Sequence, residues 1–243
     1  MYARMRSLDA VYRQDWENVE NFLASDPMYS DPKKRPREKG VHLDSWREIV
    51  GFDHLEPLRW YSMLGAWDYE TLPELRYGDD ASYIKGMMFL DGHGVIEDWG
   101  CGFRHASKFV STSPYVGIDG SSPWADKRVD LREYTSEVDC IFMRHVLEHN
   151  ADWSLILKNA IASFKKRMTL VIFTPFGNVT RQIASSNDMT RFAVPDISFN
   201  REQLVTLFEG IIFFEETVHS ETQYGIEHLF YLEKTEKTAR KSA

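Results

Sequence analysis

Two acids and a glycine turn carry the first chemical signal in this chain. Val95-Ile96-Glu97-Asp98-Trp99-Gly100-Cys101-Gly102 runs from an apolar segment into Gly-x-Gly, and Tyr115-Val116-Gly117-Ile118-Asp119 is a second apolar segment ending on a carboxylate. Glycine has no Cβ and tolerates positive φ, so such a turn lets the backbone approach a ligand closely. A carboxylate at the tip of the next strand can accept hydrogen bonds from ribose hydroxyls. With Asp119 lying 21 residues after Asp98, the spacing predicts two acids flanking one nucleotide-type crevice. Asp119 as a simple helix cap is the alternative use of the same residue.

Strand-like and helix-like runs must alternate to hold these residues, and from Val95 they do. Val95–Glu97, Tyr115–Ile118, Cys140–Met143 and Leu170–Phe173 read as strands. Trp153–Lys166 reads as a helix with Leu155, Ile156, Ile161, Ala162 and Phe164 inward, and Arg201–Phe208 as another with Leu204, Leu207 and Phe208 inward. This is the α/β pattern of a parallel sheet covered by helices. Ile211–His219 and Ile226–Leu232, joined through Gly225, suit an antiparallel hairpin at a sheet edge. Ahead of the first strand, Tyr83–Leu90 is expected to be a helix that stops at Asp91-Gly92-His93-Gly94.

The first 82 residues have a different rhythm. Val11, Trp16, Val19, Phe22 and Leu23 form one helical stripe, and Trp46, Ile49 and Val50 another, on either side of the Pro-broken basic loop 31–40. We therefore divide the chain into a mainly helical extension or lid (1–82), a cofactor domain (83–234) and a polar tail (235–243).

Bulk properties narrow the partners. The chain has 243 residues and a formal charge of −8, which disfavours a nonspecific grip on nucleic acid or an anionic membrane. A small neutral or cationic substrate is easier to accommodate. No apolar run approaches the length of a membrane helix and no signal-peptide core is visible, so a cytoplasmic location is expected. Two cysteines, Cys101 and Cys140, provide neither metal spacing nor a disulfide framework and read as buried free thiols. No metal site is expected.

Over about residues 84–233 the chain resembles the class I S-adenosylmethionine-dependent methyltransferases, through Asp98-Trp99-Gly100-Cys101-Gly102, Asp119, Asp130-Leu131 and the segment Asp139 to His149 that contains Val146-Leu147-Glu148-His149. The resemblance implies a Rossmann-like, doubly wound, mostly parallel seven-stranded sheet with the terminal hairpin as its sixth and seventh strands. It implies S-adenosyl-L-methionine as cofactor, with the turn and Asp98 beside its methionine part, Asp119 on the ribose with Gly120 and Ser121 beside it, and Asp130-Leu131 near the adenine. Arg104 departs from the family, which often has a third glycine there; it can reach the cofactor carboxylate or point to solvent. A nicotinamide-type fingerprint would need glycine at 105, where His105 stands.

The same resemblance places His145, after the fourth strand, opposite the transferred methyl. Histidine titrates near neutrality, so His145 is the first candidate for a general base and His149 the second; His149 can equally serve to hold its loop. Arg144 is assigned to cofactor or to an anionic acceptor. Thr174-Pro175-Phe176 and residues 192–199 are expected to wall the acceptor pocket, while Tyr83 and Lys85 are candidate contacts. The expected activity is methyl transfer to a small-molecule or sugar-like acceptor. The alternatives are a nucleic-acid or protein methyltransferase, against which the acidic balance and the lack of an Asn/Asp-Pro-Pro-Tyr segment weigh, and a noncatalytic module retaining the cofactor fold. The oligomeric state is left open.

Overall fold

The computed structural model describes Trp67, Tyr69 and residues 78–186 and 194–235. The two N-terminal helical stripes, the basic loop 31–40, Phe192 and residues 236–243 lie outside the described residues.

Helix α1 (Ala81–Leu90) leads into β1 (Ile96–Trp99), β2 (Tyr115–Asp119), a short β3 (Lys127–Arg128) and β4 (Val138–Arg144). Then follow α2 (Trp153–Ser163), β5 (Phe164–Ile172), the hairpin β6 (Arg181–Ser186) and β7 (Val194–Ser198), α3 (Arg201–Thr206), β8 (Ile212–His219) and β9 (Ile226–Glu233). Seven strands form one sheet in the order β3-β2-β1-β4-β5-β9-β8, and β6 pairs β7 in a separate two-stranded sheet. The pairs among β1 to β5 are parallel, whereas β9 runs antiparallel to both β5 and β8. The expected terminal hairpin is thus present, with β8 at the edge and β9 inserted beside β5.

Successive strands move one way from β1 to β3 and the other way from β4 to β5. The switch point lies between β1 and β4, and in open parallel sheets ligands bind outside the carboxyl ends of the strands there. Gly100 and His145 sit at those two ends.

Both sheet faces are covered. Trp99, Ile118, Ile141 and Met143 pack with Ile156, Leu157 and Ala160 of α2 and Leu204 of α3, while Ile96, Cys140, Phe142 and Val171 pack with Met87 and Leu90 of α1. Helix α1 lies close on the sheet because it has Gly86: a Cβ there would come within 2.5 Å of the Phe142 ring.

Some boundaries and faces differ from the sequence expectation. The helix read as Trp153–Lys166 ends at Ser163, and Phe164 begins β5 instead of closing the helix. Phe164 pairs with Val138 of β4, and this tertiary pairing overrides the weak strand propensity of Lys165, Lys166 and Arg167. The buried face of α2 is Ile156, Leu157 and Ala160; Leu155 and Ala162 are exposed. Strand β1 extends past Glu97 to Trp99, so Asp98 lies within it and is buried.

Candidate active site

The loops after β1 and β2 are stitched into one cup by Asp119. Its Oδ1 accepts from the backbone N–H of Ser121 (2.6 Å) and Ser122 (2.8 Å), and its Oδ2 accepts from Gly102 N–H (3.0 Å). Ser122 Oγ donates back to Gly102 O at 2.5 Å. The turn itself starts at Gly100, where φ is +83° and a Cβ would fall 2.2 Å from Val146 Cγ2. Only glycine satisfies both conditions. Gly100 and Cys101 both donate to Ile118 O, so the turn folds back over the end of β2.

Asp98 lies beneath this cup, almost wholly buried, and accepts from Tyr115 Oη at 2.5 Å. Burial pushes its carboxyl up to about 7, Asp119 adds to the shift, and the Tyr115 hydrogen bond with the Arg144 and Arg104 charges opposes it. A neighbouring cation would be strongly favoured here, since it would meet an anion otherwise held in low dielectric. Cys101 is a buried thiol whose pKa is raised by that burial and by Asp98 and Asp119, which keeps it out of thiolate chemistry. Glu97, by contrast, is a structural acid: it accepts from Trp99, Ser136, Tyr134 and Lys127.

Arg104 is partly exposed and held by a neighbouring loop. Its backbone is left-handed (φ +60°), the conformation glycine would adopt without cost. Its guanidinium spans to the loop after β2, pairing with Asp126 Oδ1 at 2.6 Å and donating to Trp124 O. Asp130 is likewise committed locally, to the Arg132 side chain at 2.6 Å and the Arg132 N–H at 2.8 Å, while Leu131 is buried in the core. Gly120 and Ser121 follow Asp119 on the rim of the cup.

The far wall begins at the end of β4. Arg144 is buried, with Nη2 on Glu227 Oε1 (2.8 Å), Nε donating to Ser82 Oγ (2.8 Å) and Nη1 to Tyr83 Oη (3.0 Å). His145 has a left-handed backbone (φ +55°), and its Nε2 lies 2.6 Å from the same Glu227 oxygen. Burial, together with the Arg144 and His149 charges, lowers the His145 pKa well below the usual imidazole value. His149, in the 3-10 turn Leu147–His149, directs Nδ1 to Pro195 O (3.0 Å) and Asp196 Oδ1 (3.4 Å). Burial would depress its pKa, yet Asp196 and Glu148 more than compensate and raise it. Phe173 lies between the two imidazoles, 4.7 Å from His145 and 5.5 Å from His149.

Glu148 ties this wall to the end of β5: buried, it accepts from Phe173 N–H at 2.6 Å, and burial pushes it up to about 7. Thr174 Oγ1 donates to Ile197 O and Ser198 Oγ to Pro175 O, tying β7 to the end of β5. Phe176 stacks on His228. Tyr83 belongs to the buried Arg144 cluster, whereas Lys85 pairs with Glu216 on the surface. From the N-terminal segment, Trp67 packs edge-on against His149 at 5.1 Å and Tyr69 against Phe103 at 5.1 Å. Tyr69 Oη lies 3.1 Å from where a Gly102 Cβ would be, directly over the turn.

Asp98, Gly100, Cys101, Gly102 and Asp119 are therefore brought together, with Arg144, His145 and His149 across the switch point; Asp130 is engaged with Arg132. Sequence reasoning missed Glu227, Tyr115, Asp196 and Tyr69. The one signal for Glu227 was an acid inside the apolar run after Gly225.

No protein-family model matches the chain, and no curated protein sequence matches it. Among solved structures it is similar to the 1,6-didemethyltoxoflavin-N1-methyltransferase of Burkholderia thailandensis with bound 1,6-didemethyltoxoflavin and S-adenosylhomocysteine. That match has a TM-score of 0.50 at 16% identity and covers 65% of this chain and 80% of the other. The magnesium protoporphyrin IX methyltransferase of Synechocystis PCC 6803 with bound S-adenosylmethionine matches at TM-score 0.45 and 13% identity, over 84% of this chain and 98% of that one. The fold is the Rossmann-like fold of class I S-adenosylmethionine-dependent methyltransferases. Among the described residues, no helix is long and apolar enough to cross a membrane.

Proposed function

We propose that this protein is an S-adenosylmethionine-dependent methyltransferase acting on a small-molecule acceptor. The observation that carries the reading is the cup at the switch point: a turn that excludes a Cβ at Gly100, closed by Asp119, above the buried Asp98. The donor set fits the cofactor. Asp98 suits its ammonium group, Asp119 its ribose hydroxyls with Gly120 and Ser121 alongside, and Asp130-Leu131 the adenine side, where Asp130 would have to share itself with Arg132. S-adenosylmethionine supplies an electrophilic methyl on a sulfonium, which an in-line nucleophile takes as neutral sulfur departs.

The residues of this chain would do the rest. His145, kept neutral by burial and by Arg144, takes the proton of a hydroxyl or amine acceptor. Phe173, itself held by Glu148, packs against the imidazole wall. His149, paired with Asp196, is the second candidate base, and its fixed partners favour holding β7 against the site. Arg144, being committed to Glu227, would act on ligands through that pair. The segment carrying Trp67 and Tyr69 supports the reading of residues 1–82 as a lid over domain 83–234, since acceptor specificity is commonly built on such additions. The acidic charge balance argues for a small-molecule acceptor over nucleic acid.

Isothermal titration calorimetry with S-adenosylmethionine and S-adenosylhomocysteine tests this. Binding of both is expected; binding of neither to the folded protein would overturn the enzyme reading and leave a noncatalytic module of the same fold.

A further inference from the structure

We infer that Glu227, on the antiparallel strand β9, is a positioning residue that fixes the tautomer of His145. The inference rests on the proposed methyl transfer, in which His145 receives the acceptor's proton. Glu227 is fully buried, the second residue of β9 after the Gly225 turn. One of its oxygens, Oε1, collects Ser82 Oγ at 3.0 Å, Arg144 Nη2 at 2.8 Å and His145 Nε2 at 2.6 Å. These groups come from three different elements, α1, the end of β4 and the turn after it.

The chemistry of that contact decides the ring. Burial raises the Glu227 pKa, while the Arg144 charge and the hydrogen bonds from Ser82 and Arg144 oppose that rise and favour the ionised form. As a carboxylate oxygen accepting from a guanidinium and a hydroxyl, Oε1 accepts from the imidazole too, so Nε2 carries hydrogen. In a neutral imidazole Nδ1 then bears the lone pair, and Nδ1 is the atom that can take a proton from an acceptor. Arg144 supports this arrangement twice. It balances the buried Glu227 charge, and its own charge disfavours a second proton on the ring until the acceptor delivers one. Among the described residues, other titratable groups near the ring include His149, on the adjoining 3-10 turn, and Tyr83 of α1, which holds Arg144.

Backbone geometry points the same way. His145 is held at φ +55°, a left-handed conformation that is strained for a non-glycine residue and persists only where its surroundings impose it. The Glu227 contact and the His145 N–H to Val171 O bond (3.1 Å) are two such constraints, one on the ring and one on the backbone. Glu227 does not touch the transferred group; it acts through the ring. The antiparallel insertion of β9 next to β5 therefore has a chemical consequence, delivering the acid that orients the candidate base just after β4.

The test is ¹⁵N-resolved NMR of the histidine side chains in the full chain saturated with S-adenosylhomocysteine, with His145 assigned through its backbone. The wild type is expected to show His145 as the neutral Nε2–H tautomer at pH 7, with its ring proton far downfield because the acceptor is a carboxylate. In Glu227→Gln that proton should move upfield, and in Glu227→Asp, whose shorter side chain loses reach, the tautomer should become mixed. An Nδ1–H tautomer in the wild type overturns the inference, as does an unshifted proton in a folded Glu227→Gln variant. If neither variant folds, the wild-type tautomer alone decides. The underlying base assignment fails separately: His145→Ala with undiminished methyl transfer removes the base but leaves the tautomer result standing.

Discussion

Replacing Asp119 by asparagine separates two jobs the carboxylate performs. In the native protein Oδ1 accepts from Ser121 and Ser122 N–H, and Oδ2 from Gly102 N–H at 3.0 Å. An asparagine can place its carbonyl oxygen on the serine amides, whereupon its NH2 faces the Gly102 N–H and two donors meet. The variant thus loses the charged hydrogen bond that joins the two loops, a loss of about 1–3 kcal/mol in stability. For a chain of this size that lowers Tm by roughly 2–12 °C. Cofactor affinity should fall too, because a ribose hydroxyl that donates to a carboxylate would now meet a neutral amide. The loss of one charge-assisted hydrogen bond is about 1.5–3 kcal/mol. This corresponds to a Kd raised roughly 10- to 150-fold. Calorimetry with S-adenosylmethionine at 25 °C, alongside circular dichroism to establish folding and a urea titration for stability, gives both numbers. A folded Asp119→Asn variant whose Kd stays within two-fold of wild type would refute the ribose assignment, and one with unchanged stability would refute the stitching role.

Three other perturbations probe the same site. Gly100→Ala introduces a Cβ 2.2 Å from Val146 Cγ2 at φ +83°. Left-handed strain of about 1–2 kcal/mol and overpacking of about 1–3 kcal/mol should together destabilise the fold. Val146→Ala should then rescue the packing part alone in a double-mutant cycle, and additive effects would contradict the contact. Because burial pushes Asp98 up to about 7, the carboxyl is mostly protonated below that pH and ionised above it. S-adenosylmethionine affinity should therefore rise between about pH 6 and pH 8 in wild type. Asp98→Asn should flatten the profile, and a flat wild-type profile would count against Asp98 as the ammonium partner. Finally, His145→Ala should lower turnover roughly 10²- to 10⁴-fold, read as S-adenosylhomocysteine release, while cofactor Kd changes less than two-fold.

The elements that the sequence made legible are those whose cause is local. Apolar runs bounded by glycines and acids located β1, β2 and β4 to within a few residues, because strand burial on both faces demands continuous apolar segments. The terminal hairpin was located by two β-prone runs flanking Gly225, its edge strand β8 being largely exposed. The Asp98 to Gly102 turn was legible because the positive φ at Gly100 is a demand of the local backbone that glycine meets without strain, although the neighbour that also excludes a Cβ there, Val146, is a tertiary contact. The start of β5 was not, since Lys165, Lys166 and Arg167 become strand only by pairing with β4 and β9. Nor was the path of Arg104, whose partner Asp126 lies on another loop.

What the tertiary structure alone decided is who meets whom. The sequence determined that acids, glycines and histidines existed in a pattern suited to a sheet with a crevice at its strand ends. It could not place Glu227 on His145, because that contact joins positions 82 residues apart and exists only after β9 inserts antiparallel beside β5. Nor could it put Tyr69 over the Gly102 turn or Asp196 on His149. Local chemistry is written along the chain, whereas the partners that set a buried group's charge and tautomer come from strands the topology brings together, and in this site those partners decide what the histidines can do.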